Sequence, residues 1–238
     1  MNEEPKKRWG CLHWGMLVAC LLFLVWVALP AFTRVSPRDD SMVGMNNCKQ
    51  IILSLNQYSK DHDSAFPDRG KVQFHSANEV FRELFKEGIV TDERIFGCPK
   101  SIFNPDNAIG NPLGFEKALQ PGECHWMLLK GQSDVSHPQT PLLIEKSLNS
   151  SWPPRWEVTS GPPSWLGSER VAKKGRSWPG GRILIGRVDG SVSMEKLSPD
   201  GTIDGHAYGT LGPDGKSWID TLSPEQIAKL SYWDIEEK

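Results

Sequence analysis

Residues 15–32 have the sequence GMLVACLLFLVWVALPAF, and none of these 18 side chains is charged. Basic residues precede the stretch at positions 6–8, and Arg34 and Arg38 follow it. A helix rises about 1.5 Å per residue, so the stretch would span about 27 Å, close to the thickness of a bilayer's hydrocarbon core. The sequence therefore predicts a transmembrane anchor at residues 15–33, preceded by a cytoplasmic basic tail at residues 1–14.

Three other interpretations of this stretch stay open. A cleaved secretory signal also combines a basic start with an apolar core, and Leu29-Pro30-Ala31 is its nearest approach to a cleavage site. A lipoprotein signal would use Cys20 and would leave an apolar run at the new N-terminus. A buried core helix is the third, but an uninterrupted apolar run of this length is typical of membrane spans. We expect a retained anchor.

The rest of the chain has the composition of one globular domain. About 200 residues follow the anchor, which is enough for a hydrophobic core. The formal net charge is −2, and without a cluster of Lys and Arg we expect no nucleic-acid binding. Because basic residues are retained on the cytoplasmic side of a membrane, residues 34–238 are predicted to be extracytoplasmic.

Two helices are predicted early in this domain. From Ser41 to about Lys60, apolar side chains recur every three or four positions, which indicates an amphipathic helix packed on a sheet. The predicted apolar stripe comprises Met42, Met45, Cys48, Ile52 and Leu55, with Ile51 and Tyr58 beside it. Pro37 is expected to interrupt the chain before this helix. A second helix should begin after Ser76, whose spacing to Glu79 is that of a capping box, and should end at Gly88.

An antiparallel sheet is predicted from four short apolar runs, at residues 126–129, 141–145, 181–188 and 191–197. The last two flank Asp189-Gly190, a strong hairpin signal. A long loop at residues 150–179 carries four tryptophans among five prolines. Ser223 and Pro224 indicate the start of a short helix. The predicted fold class is therefore α+β.

Sequence motifs give no support for catalysis. The chain contains none of the metalloprotease, nucleophile-elbow or P-loop motifs. His125 is interpreted as a structural histidine on a strand, and Glu123 and Glu145 are interpreted as isolated carboxylates. We therefore expect no enzyme activity, no cofactor and no metal ion. Asp200 and Asp204 resemble half of a calcium loop, but Thr202 and Leu211 occupy positions where acids are needed, which favours a plain turn.

Cysteine and tryptophan provide the remaining candidate residues. Three cysteines lie outside the anchor region, and their spacing contains no C-x-x-C motif. Cys48 lies on the predicted buried stripe, which leaves Cys98 and Cys124 as the preferred disulfide among three possible pairings. A glycan- or peptide-binding surface could use the tryptophans of the long loop, but we favour the interpretation in which they cover the sheet. These tryptophans are Trp152, Trp156, Trp165 and Trp178.

Three stretches resemble bacterial type II secretion pseudopilins. The first is MNNCKQIILSLNQYSKDHDSAFPD at residues 45–68, where the resemblance rests on Lys49, Gln50, Ile51, Tyr58, Asp61, Phe66 and Pro67. The second is ERIFGCPKS at residues 93–101, which resembles a Cys-Pro-Ser-like turn through Cys98, Pro99 and Ser101. The third is GGRILIGRVDGSV at residues 180–192, which resembles a terminal hairpin with an Asp-Gly turn.

This resemblance implies a pilin-like fold, in which a transmembrane helix continues into an amphipathic helix packed on an antiparallel sheet. It also implies a subunit or accessory protein of a type II secretion or pilus-like assembly in the bacterial inner membrane, with a periplasmic domain. The partners would be the membrane and other pseudopilin or secretion-apparatus subunits. The alternative functions are a membrane-tethered glycan- or peptide-binding module and an anchored hydrolase.

Overall fold

The computed structural model describes residues 11–33, 37–70, 73–99, 101–112, 114–159, 174–203 and 216–238. The chain divides into two compact units, residues 1–36 and residues 37–238. The first unit contains helix α1, Cys11–Thr33, and the side chains described in it, at residues 14–27, are all exposed. Among the described residues, no helix is both long enough and apolar enough to cross a membrane.

The second unit contains a five-stranded antiparallel sheet with the order β4-β3-β2-β1-β5. The strands are β1 (Trp126–Leu129), β2 (Pro141–Glu145), β3 (Arg182–Arg187), β4 (Val192–Lys196) and β5 (Tyr232–Trp233). The four predicted strands and the α+β class are thus confirmed, with the third and fourth strands shorter by one residue at each end. Strand β5, which pairs with the far side of β1, has no counterpart in the prediction.

The hairpin between β3 and β4 turns at the predicted position. Gly190 has a φ of 82°, and its N–H donates to the carbonyl oxygen of Arg187 over 2.9 Å. The Asp189 carboxylate accepts a hydrogen bond from the N–H of Ser191 at 2.8 Å. The left-handed conformation of the third loop residue is accessible to glycine without steric cost, which explains why a glycine stands there.

Helix α2, Pro37–Asp61, packs on the sheet against β2, β3 and β4. Its buried apolar face comprises Gly44, Cys48, Ile51, Ile52 and Leu55. Two details differ from the prediction. The helix begins at Pro37 instead of near Ser41, because the first turn of a helix needs no N–H from a proline. Met42 is exposed, and the small Gly44 faces the sheet in its place.

Glycines set the distance between α2 and β3. A Cβ atom built on Gly186 of β3 would lie 2.5 Å from Cys48 Sγ and 2.6 Å from Ile52 Cδ1. A Cβ atom on Gly44 of α2 would lie 2.8 Å from Leu184 Cδ1. Both separations are far below van der Waals contact, so the helix can reach this position only because neither residue has a side chain.

Helix α3, Ala77–Lys86, packs against β1 and ends before Gly88, as predicted. Ser76 accepts a hydrogen bond from the N–H of Glu79 at 3.1 Å, which confirms the predicted N-cap. The Glu79 carboxylate accepts from the N–H of His75 at 2.6 Å, one residue before the expected Ser76. A short helix, α4, spans Pro224–Lys229 and has the full capping box between Ser223 and Gln226.

The segment that contains β5 connects the edge of the sheet to α3. Glu236 accepts from Arg82 Nη2 at 3.0 Å and from Ser76 Oγ at 2.5 Å. The buried Lys146 ammonium pairs with Asp234 and lies 3.4 Å from a Glu237 carboxylate oxygen. These charged groups are paired across the segment, which offsets the cost of removing Lys146 from water.

Replacing Gly186 tests the close contact between α2 and β3. We expect Gly186→Ala to lower the free energy of unfolding by about 1–3 kcal/mol, because a methyl group there forces α2 away from the sheet. Urea denaturation of the full chain in detergent would measure the loss. Gly114→Ala is the control, since its new methyl group would meet mainly the mobile Glu116 carboxylate, at 3.2 Å. Equal denaturation midpoints for the two variants would contradict the proposed contact.

Candidate functional site

A buried cluster of Cys98, His125 and Glu145 lies at one end of the sheet. Cys98 follows the 3₁₀ turn Glu93–Phe96, His125 immediately precedes β1, and Glu145 is the last residue of β2. Antiparallel pairing places Glu145 opposite Trp126, so the residue that precedes β1 and the residue that ends β2 meet. Three separate segments of the chain therefore contribute one thiol, one imidazole and one carboxylate.

The side-chain atoms of the cluster converge closely. Cys98 Sγ lies 3.8 Å from Glu145 Oε1, and His125 Nε2 lies 3.4 Å from the same oxygen. The thiol sulfur, the imidazole nitrogen and the carboxylate oxygen all lie within 4.8 Å of one another. At most 5% of each of the His125 and Glu145 side chains is exposed, so these polar atoms interact in a region from which water is largely excluded.

Two further side chains orient the cluster. Trp178 Nε1 donates to Glu145 Oε1 over 2.8 Å. Ser101 Oγ lies 2.8 Å from His125 Nδ1 and also accepts a hydrogen bond from the N–H of Phe103 at 3.0 Å. A hydroxyl can donate or accept at Nδ1, so the proton of the neutral imidazole can reside on either ring nitrogen. Nε2 can therefore donate to Glu145 or present a lone pair beside it.

Helix α2 lies next to the cluster. A Cβ atom on Gly44 would be 3.0 Å from Cys98 Sγ, and Cys48 follows one helical turn later. Burial raises the pKa of the Cys48 thiol well above its usual range, and the nearby Glu145 carboxylate and Cys98 add to this effect. Cys48 is therefore a neutral thiol at physiological pH.

An open cleft of about 410 Å³ lies between α2 and the segment around residues 92–104. Cys98 forms part of its wall, together with Val43, Asn47, Gln50 and Arg94. The Arg94 guanidinium is paired with Asp92 at 2.7 Å, and Asn47 Nδ2 donates to the carbonyl oxygen of Gly97 at 3.1 Å. The Asn47 bond therefore holds α2 against the Cys98 segment, while Arg94 is paired within that segment.

A second group of acidic side chains, Glu93, Asp106 and Glu123, lies within the loop that precedes β1. The buried Glu93 carboxylate accepts from the backbone N–H groups of Asn107, at 3.0 Å, and Leu119. Burial raises the pKa of Glu93; the Leu119 hydrogen bond opposes that rise, and the charge of Glu123 adds to it. Glu93 thus organises the loop by satisfying its backbone donors.

The tryptophans predicted to form a binding surface are mostly internal. Trp156 and Trp178 belong to the hydrophobic core. Trp152 is half-buried and packs against Trp218 and Tyr232, while Trp165 lies outside the described residues. The burial of Trp156 and Trp178 favours the interpretation in which the loop tryptophans cover the sheet.

The preferred disulfide is also absent from the described structure, where Cys98 and Cys124 are free thiols. They have different partners: Cys98 Sγ contacts Glu145, whereas Cys124 Sγ donates to the carbonyl oxygen of Trp126 over 3.4 Å. Asp200 accepts hydrogen bonds from Thr202 N and Thr202 Oγ1, as expected for a plain turn. Asp204 lies outside the described residues.

Sequence reasoning missed the cluster because it considered His125 and Glu145 separately. A usable signal was present: Glu145 ends an apolar strand, and His125 precedes the strand that pairs with it. A charged residue that closes a fully buried strand needs a polar partner. Cys98 and Trp178 offer no comparable signal, because loops bring them to the cluster.

The chain matches no protein-family model, no curated protein and no solved structure. Its function is therefore inferred from its own residues and their contacts.

Replacing Trp178 tests whether its hydrogen bond supports the buried carboxylate. We expect Trp178→Phe to lose about 1.5–3 kcal/mol more of the free energy of unfolding than Trp156→Phe, because bonds to charged groups contribute about this much. Trp156 is the matched control: its ring is also buried, but Nε1 has no hydrogen-bond partner among the described residues. Urea denaturation measures both losses, and equal losses would show that the bond contributes nothing.

The reactivity of Cys124 tests the free-thiol assignment. Burial raises the pKa of the Cys124 thiol to about 12, so at pH 8 the folded protein should contain almost no Cys124 thiolate. We expect iodoacetamide to label Cys124 only after unfolding in urea, as measured by peptide mass spectrometry. A cysteine introduced by Val135→Cys at an exposed position should react without urea. Rapid labelling of folded Cys124, or recovery of a Cys98–Cys124 linked peptide, would contradict the assignment.

Proposed function

We propose that this protein is a membrane-anchored, pseudopilin-like subunit or accessory protein of a bacterial type II secretion or pilus-like assembly. The observation that carries the proposal is the order of elements in the chain: an apolar helix, then a long amphipathic helix packed on an antiparallel sheet. The pseudopilin-like motifs at residues 45–68 and 93–101 fall on α2 and on the segment that α2 contacts. Motif and architecture therefore support the same proposal.

The side chains of α1 support membrane attachment. From Trp14 to Val27 its apolar groups are exposed, and residues 15–32 contain no charge. A continuous apolar surface of this kind is unfavourable in water and marks a site of membrane or protein contact. With the basic residues at positions 6–8, we propose a single pass through the inner membrane and a periplasmic domain.

We propose a role that depends on protein contacts and involves no catalysis. Among the described residues, Cys98, His125 and Glu145 bring a thiol, an imidazole and a carboxylate together. His125 and Glu145 are almost fully enclosed by protein, which leaves a substrate no direct approach to them. The alternative of a tryptophan-based binding module loses support, since Trp156 and Trp178 belong to the core.

Filament-forming pseudopilins are expected to carry an acid within the apolar run, and this chain has none between Glu4 and Asp39. Such an acid is costly in lipid and needs a partner, which would favour transfer from the membrane into a filament. A fully apolar anchor has no buried charge that would favour its transfer from the membrane into a filament. We therefore propose that the anchor is retained uncleaved and that the protein stays in the membrane.

Photo-crosslinking in the source bacterium tests this function. Leu53 is exposed on α2, and a photoreactive residue there should form an adduct with another pilin-like or secretion-apparatus chain in the membrane fraction. The intact mass of the extracted protein should correspond to the uncleaved chain. A photoreactive residue at the exposed Val135, outside α2, should give no such adduct.

Anchor variants provide the matched control for that experiment. Leu22→Lys with Val25→Lys should release the protein from the membrane and abolish the adduct, because each lysine costs about 2.5–3.5 kcal/mol at the centre of a spanning helix. The variant with Leu22→Ala and Val25→Ala should stay in the membrane and should still form the adduct. A wild-type chain found outside the membrane fraction, or one without adducts to such subunits, would overturn the proposal. A mass beginning at Cys11 or Met16 with a methylated amino group would contradict retention of the anchor.

A further inference from the structure

We infer that Cys98, His125 and Glu145 form a binding site for a divalent metal ion, with Zn²⁺ the ion that suits it best. This inference concerns the folded domain and is independent of the proposed role in secretion. Thiolate, imidazole and carboxylate are the three side-chain ligands that zinc takes in proteins. Alkaline-earth ions prefer oxygen ligands alone, so the sulfur and nitrogen atoms favour a transition metal.

Two of the three separations between the ligand atoms are close to those around a tetrahedral ion. Zinc bonds of 2.0–2.3 Å place neighbouring ligand atoms about 3.3–3.7 Å apart. The separation from His125 Nε2 to Glu145 Oε1 is 3.4 Å, and that from Cys98 Sγ to Glu145 Oε1 is 3.8 Å. Both separations lie within a few tenths of an ångström of the tetrahedral range, and all three ligand atoms lie within 4.8 Å of one another.

The side chains that hydrogen-bond to the proposed ligands are of the kinds found around metal sites. Metal-bound histidine usually donates its other ring N–H to an oxygen atom, which fixes the ring and its tautomer. Ser101 Oγ lies 2.8 Å from His125 Nδ1 and can accept that proton. Trp178 Nε1 donates to Glu145 Oε1 over 2.8 Å, as second-shell donors do to ligating carboxylates. Both ligands are thus oriented by side chains that do not themselves bind the ion.

Metal binding would also fix the protonation of the cluster. A divalent ion would hold Cys98 as a thiolate, with the thiol proton released to solvent on binding. The ion would join three segments: the loop that carries Cys98, the residue that leads into β1, and the end of β2.

Metal analysis of the full chain in detergent tests the site. After treatment with EDTA, addition of ZnCl₂ and removal of free metal, we expect about one zinc per chain by mass spectrometry. Co²⁺ in place of zinc should give a thiolate-to-cobalt absorption band, which reports the sulfur ligand directly. Zinc should also raise the thermal unfolding temperature of the wild-type protein.

Variants distinguish a metal site from a hydrogen-bonded network of the same residues. Cys98→Ser and His125→Gln should lose the stoichiometric zinc, and Cys98→Ser should lose the cobalt–sulfur band. Cys124→Ser is the matched control, because Cys124 is equally buried but lies outside the cluster, and it should bind as the wild type does. Ser101→Ala should weaken zinc binding about tenfold or more through loss of the second-shell contact.

Folding of each variant would be checked by circular dichroism, so that loss of metal is not confused with loss of structure. Wild-type protein that takes up no stoichiometric zinc would overturn the inference without reference to any variant. Unchanged zinc affinity in folded Cys98→Ser and His125→Gln would also overturn it, since the cluster would then be a metal-free polar network.

Discussion

The close contact between α2 and β3 is the constraint on which the rest of the domain depends. Gly44 and Gly186 leave no room for a Cβ atom, so the helix backbone and the strand approach more closely than ordinary side chains allow. Cys48 and Ile52 fill the space above Gly186. A side chain at either glycine would overlap these neighbours, so the packing of α2 on the sheet depends on the two glycines as well as on hydrophobic side chains.

The buried polar cluster depends on the same contact. Cys98 Sγ lies close to Gly44 on one side and contacts the Glu145 carboxylate on the other. Asn47, one turn along the exposed edge of α2, donates to the carbonyl oxygen of Gly97. The position of the helix therefore fixes the Cys98 segment, and the Cys98 segment fixes where a thiol meets His125 and Glu145. The geometry of the cluster and the packing of the helix are coupled.

The sequence was sufficient for features that local patterns encode. Four strands, the Ser76 N-cap and the hairpin at Gly190 follow from alternation, capping and turn chemistry, and all are present. Features that depend on tertiary contacts were not predicted. Strand β5 has only two residues and exists because it pairs with β1, and Met42 was placed on the buried face because periodicity cannot detect how near the sheet lies. The cluster was missed for the same reason, since three segments far apart in the chain supply it.

The buried polar groups explain how loops without regular structure stay ordered around a small sheet. Glu93 satisfies backbone N–H groups of the long loop before β1, and Glu236 binds both Arg82 and Ser76 at the start of α3. Glu93 is buried and Glu236 is partly buried, so their charges have to be matched by donors at fixed positions. A loop that moved away would leave these carboxylates without those donors, and this cost opposes the entropy that the freed loop would regain. Glu93 and Glu236 therefore hold nearby loops in place. The hydrophobic core of α2, α3 and the sheet in turn fixes the positions of these two side chains.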